Sequence, residues 1–137
     1  MVAPEDDPTT LILAPGSLRD LGTIDAAAAA ACGVQKGPIR LLNGYPGPKG
    51  WGWRHVQSNP DRVKMIGRRG YSTSLAFACA VAENWRSIHL AEVGRLTLVW
   101  HQNGFDLAIA VQWDAGFWSI TTMLPFRAIN QPKLYEK

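Results

Sequence analysis

Arg95-Leu96-Thr97-Leu98-Val99-Trp100, Asn103-Gly104, Phe105 to Trp113, Asp114-Ala115-Gly116 and Phe117 to Leu124, closed by Pro125, form the stretch whose reading decides the fold. Its first segment has the β-branched and aromatic content of a strand. Asn103-Gly104 is a two-residue hairpin signal, because both residue types tolerate positive φ. Phe105 to Trp113 supplies the returning strand. The chain turns again at Asp114-Ala115-Gly116, so Phe117 to Leu124 completes an antiparallel meander.

Working towards the N-terminus, the pattern becomes helical. Ser72 or Thr73 can cap a long amphipathic helix running to about Ala91. Its apolar set, Leu75, Phe77, Ala78, Val81, Ala82, Trp85, Ile88 and His89, follows the helical period. Gly67-Arg68-Arg69-Gly70 reads as a basic loop. Trp51 to Asn59 reads as a short helix broken by Pro60, with a further turn over Asp61 to Ile66. Asn43 to Gly50, holding Gly44, Pro46, Gly47 and Pro48, is a turn-rich loop after a short strand at Pro38 to Leu42. Ser17 can cap a helix from Leu18 to Cys32, ended by Gly33. Helices followed by a meander predict an α+β domain, with N-terminal helices packed on a C-terminal antiparallel β-meander. The expected organisation is a flexible start over 1–15, one domain over 16–129 and a loose polar tail over 130–137.

With 137 residues, 47% of them hydrophobic and 18% charged, the chain suits one domain with a real core. No apolar run approaches the roughly 18 residues of a membrane span. The acidic start, Met1 to Asp7, has no cleavable apolar region behind it and reads as a linker ahead of a domain taken from a longer protein. Cys32 and Cys79 are too few for a disulfide framework and lack metal-ligand spacing. Their Ala-rich neighbours favour buried thiols, with a single bridge left open.

The net charge of +3 is unevenly spread. Residues 1–35 carry five acids and one base, whereas residues 36–69 carry eight bases (Lys36, Arg40, Lys49, Arg54, Arg62, Lys64, Arg68, Arg69) and one acid, Asp61. Such a block attracts polyanions, or faces solvent as an ordinary charged surface. Nucleotide-triphosphate, dinucleotide, zinc-protease and nucleophile-elbow motifs are absent. That leaves three histidines for acid–base work. His89, on an apolar helix face, reads as structural, and His101 as an exposed loop residue. His55 lies in Gly50-Trp51-Gly52-Trp53-Arg54-His55-Val56, behind a glycine-rich loop and beside a cation. By chemistry alone it is either catalytic or a core or capping residue. Cleaving RNA without a metal needs a base for the 2′-hydroxyl, an acid for the leaving oxygen and donors for the phosphorane. Ser119, Thr121 and Thr122 add hydroxyls on the last strand, and regular alternation puts Ser119 with Thr121 and Trp118 with Ile120 and Thr122.

Gly37-Pro38-Ile39-Arg40-Leu41, the Gly/Pro loop and Gly50 to Val56 resemble the opening of ribonucleases with the barnase–EndoU–colicin–RelE (BECR) fold. These occur as C-terminal toxin domains of contact-dependent inhibition and other polymorphic toxin proteins. The ending Ile120-Thr121-Thr122-Met123-Leu124-Pro125-Phe126-Arg127 resembles the family's last strand, so the resemblance spans about 37–127. It implies a cofactor-free endoribonuclease toxin acting on transfer RNA. It also implies delivery from a secreted or surface effector into the target-cell cytoplasm, and a cognate immunity protein that covers the active site. The family's helix histidine falls on His55, and its late-strand hydroxyl on Thr122, with Thr121 the alternative. Arg54 takes the place of a basic residue before the histidine in colicin D-like members. Their further lysine is Gly52 here, so that role is absent or passes to Lys49 or Arg127. Asn59-Pro60 stands where many relatives have a second histidine. Lys49, Trp53, Arg62, Lys64, Arg68 and Arg69 are the expected RNA-binding residues. A non-catalytic RNA-binding module and an antitoxin-like interaction protein are the competing readings.

Overall fold

A computed structural model describes residues 7–125 and 129–137. Among these residues the protein is a mixed α+β structure with four helices and an eight-stranded sheet. The strands are β1 (Leu11–Ile12), β2 (Gly22–Ile24), β3 (Gly37–Leu42), β4 (Ser87–Glu92), β5 (Arg95–Gln102), β6 (Phe105–Asp114), β7 (Phe117–Leu124) and β8 (Lys133–Glu136). The helices are α1 (Ala26–Cys32), α2 (Gly52–Gln57), α3 (Pro60–Arg68) and α4 (Ser74–Asn84). Strand order is β1-β3-β7-β6-β5-β4-β8, with β2 paired on β3. All pairs are antiparallel except β3 with β7, which meet only at Ile39–Trp118 and Arg40–Ser119.

Strands β5 to β7 follow the expected meander. The first hairpin turns through Asn103 at φ 52° and Gly104 at φ 85°, the two positive values of a type I′ turn. Sheet residues Ile39, Leu41, Leu98, Ile109, Ile120 and Met123 are buried against Phe77, Val81 and Ile24 in one core. Helix α4 packs against β2, β5 and β6, and α2 against β7 and β3.

Several expectations need correction. The helix foreseen from Leu18 begins only at Ala26, because Asp25 is the cap that accepts from the Ala28 N–H at 2.9 Å. Ser17 instead sits in a tight turn at φ 60°, and Gly22 to Ile24 join the sheet. Gly22 is required there, since a Cβ would lie 2.1 Å from the Ala82 carbonyl oxygen of α4. Thr73 does cap α4, but the helix stops at Asn84 rather than Ala91. Trp85 turns extended (φ −53°, ψ 145°) and buries its ring, with Nε1 donating to the Thr23 carbonyl at 3.1 Å. His89 therefore lies on strand β4, not on a helix. Its Nδ1–H donates to Gln131 O at 3.1 Å and its Nε2 accepts from Ser87 Oγ at 3.0 Å, a satisfied structural arrangement. The expected Gly67–Gly70 loop is part of α3 up to Arg68, with Arg69 as its C-cap. Both cysteines are free and half-buried, and burial raises both thiols, with Glu83 adding to the effect at Cys79.

Neither end of the described chain is loose. The start pairs with β3 through β1, and the backbone N–H groups of Asn43 and Gly44 donate to Thr10 O and Pro8 O. At the other end, β8 pairs with β4, Tyr135 packs edge-on to Trp85 at 6.3 Å, and Lys137 Nζ lies 3.7 Å from that ring's centroid. Sequence polarity hid β8 because it is an edge strand, apolar only at Leu134 and Tyr135. Deleting residues 133–137 should cost about 2 kcal/mol or more, the scale of uncovering two apolar side chains and β4. Thermal unfolding checks this; a truncated chain that melts with the parent contradicts it.

Candidate active site

The site is built where β3 leaves the sheet. After Leu42 the chain enters the glycine-rich loop, closed at its base by reciprocal bonds between Tyr45 and Trp51, at 3.0 and 3.1 Å. Gly44 (φ +71°) and Gly52 (φ +78°) flank this closure. Helix α2 starts with no side-chain cap, so a first-turn N–H needs another acceptor. The Asn43 carbonyl supplies it, accepting from Arg54 N at 2.8 Å. Loop and helix are thus one fastened unit.

His55 sits half-buried on α2, with Nδ1 2.7 Å from the Gly47 carbonyl oxygen. A carbonyl only accepts, so Nδ1 carries a proton, and the tautomer that this contact favours has its lone pair on Nε2. Nε2 has no hydrogen-bond partner among the described residues. Ser58 Oγ fixes the same glycine, accepting from Gly47 N at 2.9 Å and donating to His55 O at 2.8 Å. A hollow of about 210 Å³ beside the ring is lined by Pro48, Asn59 and Pro60.

Strand β7 brings the hydroxyls. The register of β6 and β7 slips between Ala110 and Val111, which pair with Thr122 and Ile120 and leave Thr121 as the extra residue of a bulge. This overturns the expected grouping of Thr122 with Ile120, because the bulge puts Ile120 and Met123, both fully buried, on the core side and Thr122 on the other. Thr121 Oγ1 donates to Ala110 O at 3.3 Å. Thr122 Oγ1 accepts from Arg62 Nη1 at 2.6 Å. Arg62 comes from α3, which begins directly behind α2 with Asn59 as cap and Pro60 in its first turn.

The predicted residues therefore fall into separate groups. His55 belongs with the loop, and Arg62 with Thr122. Lys49 and Thr121 line a common cavity of about 280 Å³. No described hydrogen bond or cavity joins His55 to Thr121 or Thr122, although their elements pack together. Lys64 and Arg68 are exposed on α3. Trp53, one of the expected RNA-binding residues, is half-buried with part of its side chain packed against the core. Arg69 lies over the Phe105 ring at 3.7 Å, so part of its surface is used internally. Arg127 lies outside the described residues. Ser119, which the sequence marks only as a strand hydroxyl, and Arg95, which it marks only as a strand residue, line the cavity that holds Lys49 and Thr121. Cross-strand register puts Arg95, Gln112 and Ser119 in one row across β5 to β7, a placement that only the paired strands reveal.

His101 lies on β5, away from this region, and donates from Nδ1 to Asp106 Oδ1 at 2.8 Å. Burial alone would raise the Asp106 carboxyl, but hydrogen bonds from His101 and from Ile129 N outweigh it and hold its pKa below the ordinary value. A depressed carboxylate stabilises the fold above its unfolded pKa, about 3.9, and loses that contribution as pH falls through its folded value. Asp106→Asn should therefore be less stable than the parent at neutral pH, with the gap closing below about pH 4. Denaturant unfolding at both pH values tests this, and a gap that persists in acid contradicts it.

No protein-family model, curated protein or solved structure matches this chain. Among the described residues, no helix is long and apolar enough to cross a membrane.

Proposed function

We propose that the chain is a metal-independent endoribonuclease toxin of the BECR kind, cutting RNA, with transfer RNA the expected target, to 2′,3′-cyclic phosphate ends. The observation that carries this reading is the state of His55. Its Nδ1 is held 2.7 Å from Gly47 O, which turns Nε2 away from that bond, on a helix packed against β7. Nε2 takes the 2′-hydroxyl proton as O2′ attacks phosphorus. The bond to O5′ then breaks, and the departing oxygen takes up the proton that His55 has accepted, leaving a cyclic phosphate and a 5′-hydroxyl. Arg54, next to His55, is the donor for charge that develops on the phosphorane, and Arg62, fixed on Thr122, contributes to holding the RNA. The finer fold reading, helices ahead of an antiparallel meander, belongs to the same proposal. So do delivery from a secreted or surface effector and inhibition by an immunity protein.

Incubating the purified chain with total RNA in EDTA should give discrete fragments carrying 2′,3′-cyclic phosphates. Intact RNA that is nevertheless bound in a salt-sensitive way would replace this reading with that of a binding module.

A further inference from the structure

A cavity of about 280 Å³ lies between the glycine-rich loop and strands β5 to β7. We propose that it is a nucleotide-binding subsite, seating one base together with its phosphate. The identity of the ligand rests on the RNA-cleaving reading, but its binding can be measured without cleavage. The volume is near the lower end of small-ligand sites.

Ser119 is the decisive residue. It is only 5% exposed, it lines the cavity, and its Oγ finds no hydrogen-bond partner among the described residues. A buried hydroxyl without a partner is costly, and such groups call for an explanation, of which a missing ligand is one. The rest of the wall fits a nucleotide better than a bare anion. Lys49 is exposed, with no ion-pair partner among the described residues, and offers a point charge to phosphate. Arg95 lies across from it, anchored by Glu92 at 2.8 Å and by Gln112 at 3.2 Å. Asp114 would repel a simple anion, yet it can accept from the ring or exocyclic N–H of a base. Trp51 adds an aromatic surface of the kind on which bases stack. Thr121, whose proton is directed to Ala110 O, keeps lone pairs for a ribose hydroxyl or base donor.

The test uses the full chain carrying His55→Asn, which keeps the bond to Gly47 O, titrated with the four nucleoside 3′-monophosphates, with nucleosides and with inorganic phosphate, followed by amide NMR. At least one nucleotide should shift the Lys49, Ser119 and Thr121 resonances saturably, and bind tighter than phosphate or its own nucleoside. Ser119→Ala in that background should weaken this binding about three- to tenfold, the worth of one hydrogen bond. It should not lower Tm, because it removes a buried group that has no partner. Lys49→Ala should weaken binding about tenfold, as loss of a charged hydrogen bond does. Absence of nucleotide binding overturns the proposal, as does binding indifferent to both substitutions or no tighter than phosphate. Cleavage by the parent without such binding overturns this proposal alone, whereas nucleotide binding with RNA left intact overturns the cleavage reading alone.

Discussion

His55→Asn is expected to lower RNA cleavage by at least about 10²-fold while leaving the fold intact. Asparagine is chosen because its amide nitrogen stands close to where the imidazole Nδ1 stands, so it can still donate to Gly47 O. What it lacks is a basic ring nitrogen, and nothing replaces the Nε2 lone pair. The substitution therefore separates two roles that alanine would remove together: fastening the loop and moving a proton. His55→Gln is its complement, placing a polar group near Nε2 while losing the bond to Gly47. Both should be inactive, and only His55→Gln should loosen the loop, visible as faster amide exchange over residues 44–51. If His55→Asn cleaves RNA as the parent does, the histidine is an anchor and the assigned chemistry lies elsewhere.

Gly44→Ala should have the largest effect on stability, costing about 3–5 kcal/mol, a large part of the 5–15 kcal/mol that holds an ordinary domain together. Two causes add. Gly44 has φ +71°, where an L side chain is strained, and a Cβ there would lie 1.8 Å from the Trp51 carbonyl oxygen. That oxygen accepts from Tyr45 N, so it can give way only by opening the base of the loop. Gly47→Ala is the internal control. Its φ is +89°, but a Cβ there meets nothing within 4 Å, so only the conformational cost of about 1 kcal/mol remains. Urea unfolding of the two variants should separate them clearly. Equal midpoints would mean that the loop yields freely and does not hold His55. Because Gly47 O is the partner of His55, Gly44→Ala should also lose cleavage at temperatures where the domain is still folded.

Legibility in the sequence followed the local signals. Strands β5 to β7 and their hairpin could be read because Asn103-Gly104 carries its turn chemistry in two residues and the flanking apolar residues alternate. The cap at Thr73 and the stop at Gly33 were legible for the same reason. Strand β4 was not, since Trp85, Ile88 and His89 continue the helical spacing of α4. What ends the helix is tertiary: the Trp85 ring finds its hydrogen bond on Thr23, far away in sequence. The bulge in β7 was equally hidden, because Ser119, Thr121 and Thr122 are compatible with either register and only the buried Ile120 and Met123 decide it. At the site, the sequence placed His55 on a helix behind a glycine-rich loop and named Thr122 and Arg62 separately. The Nδ1 bond to Gly47 and the pairing of Arg62 with Thr122, across 60 positions of sequence, are products of the fold.

The central claim is that this chain cuts RNA through His55. Its most direct test is sequencing of RNA ends from cells that briefly express the parent chain or His55→Asn at equal levels. The prediction is a small set of new ends, concentrated in transfer RNA, that is present with the parent and absent with His55→Asn. New ends at equal abundance in both, or none in either, would contradict it.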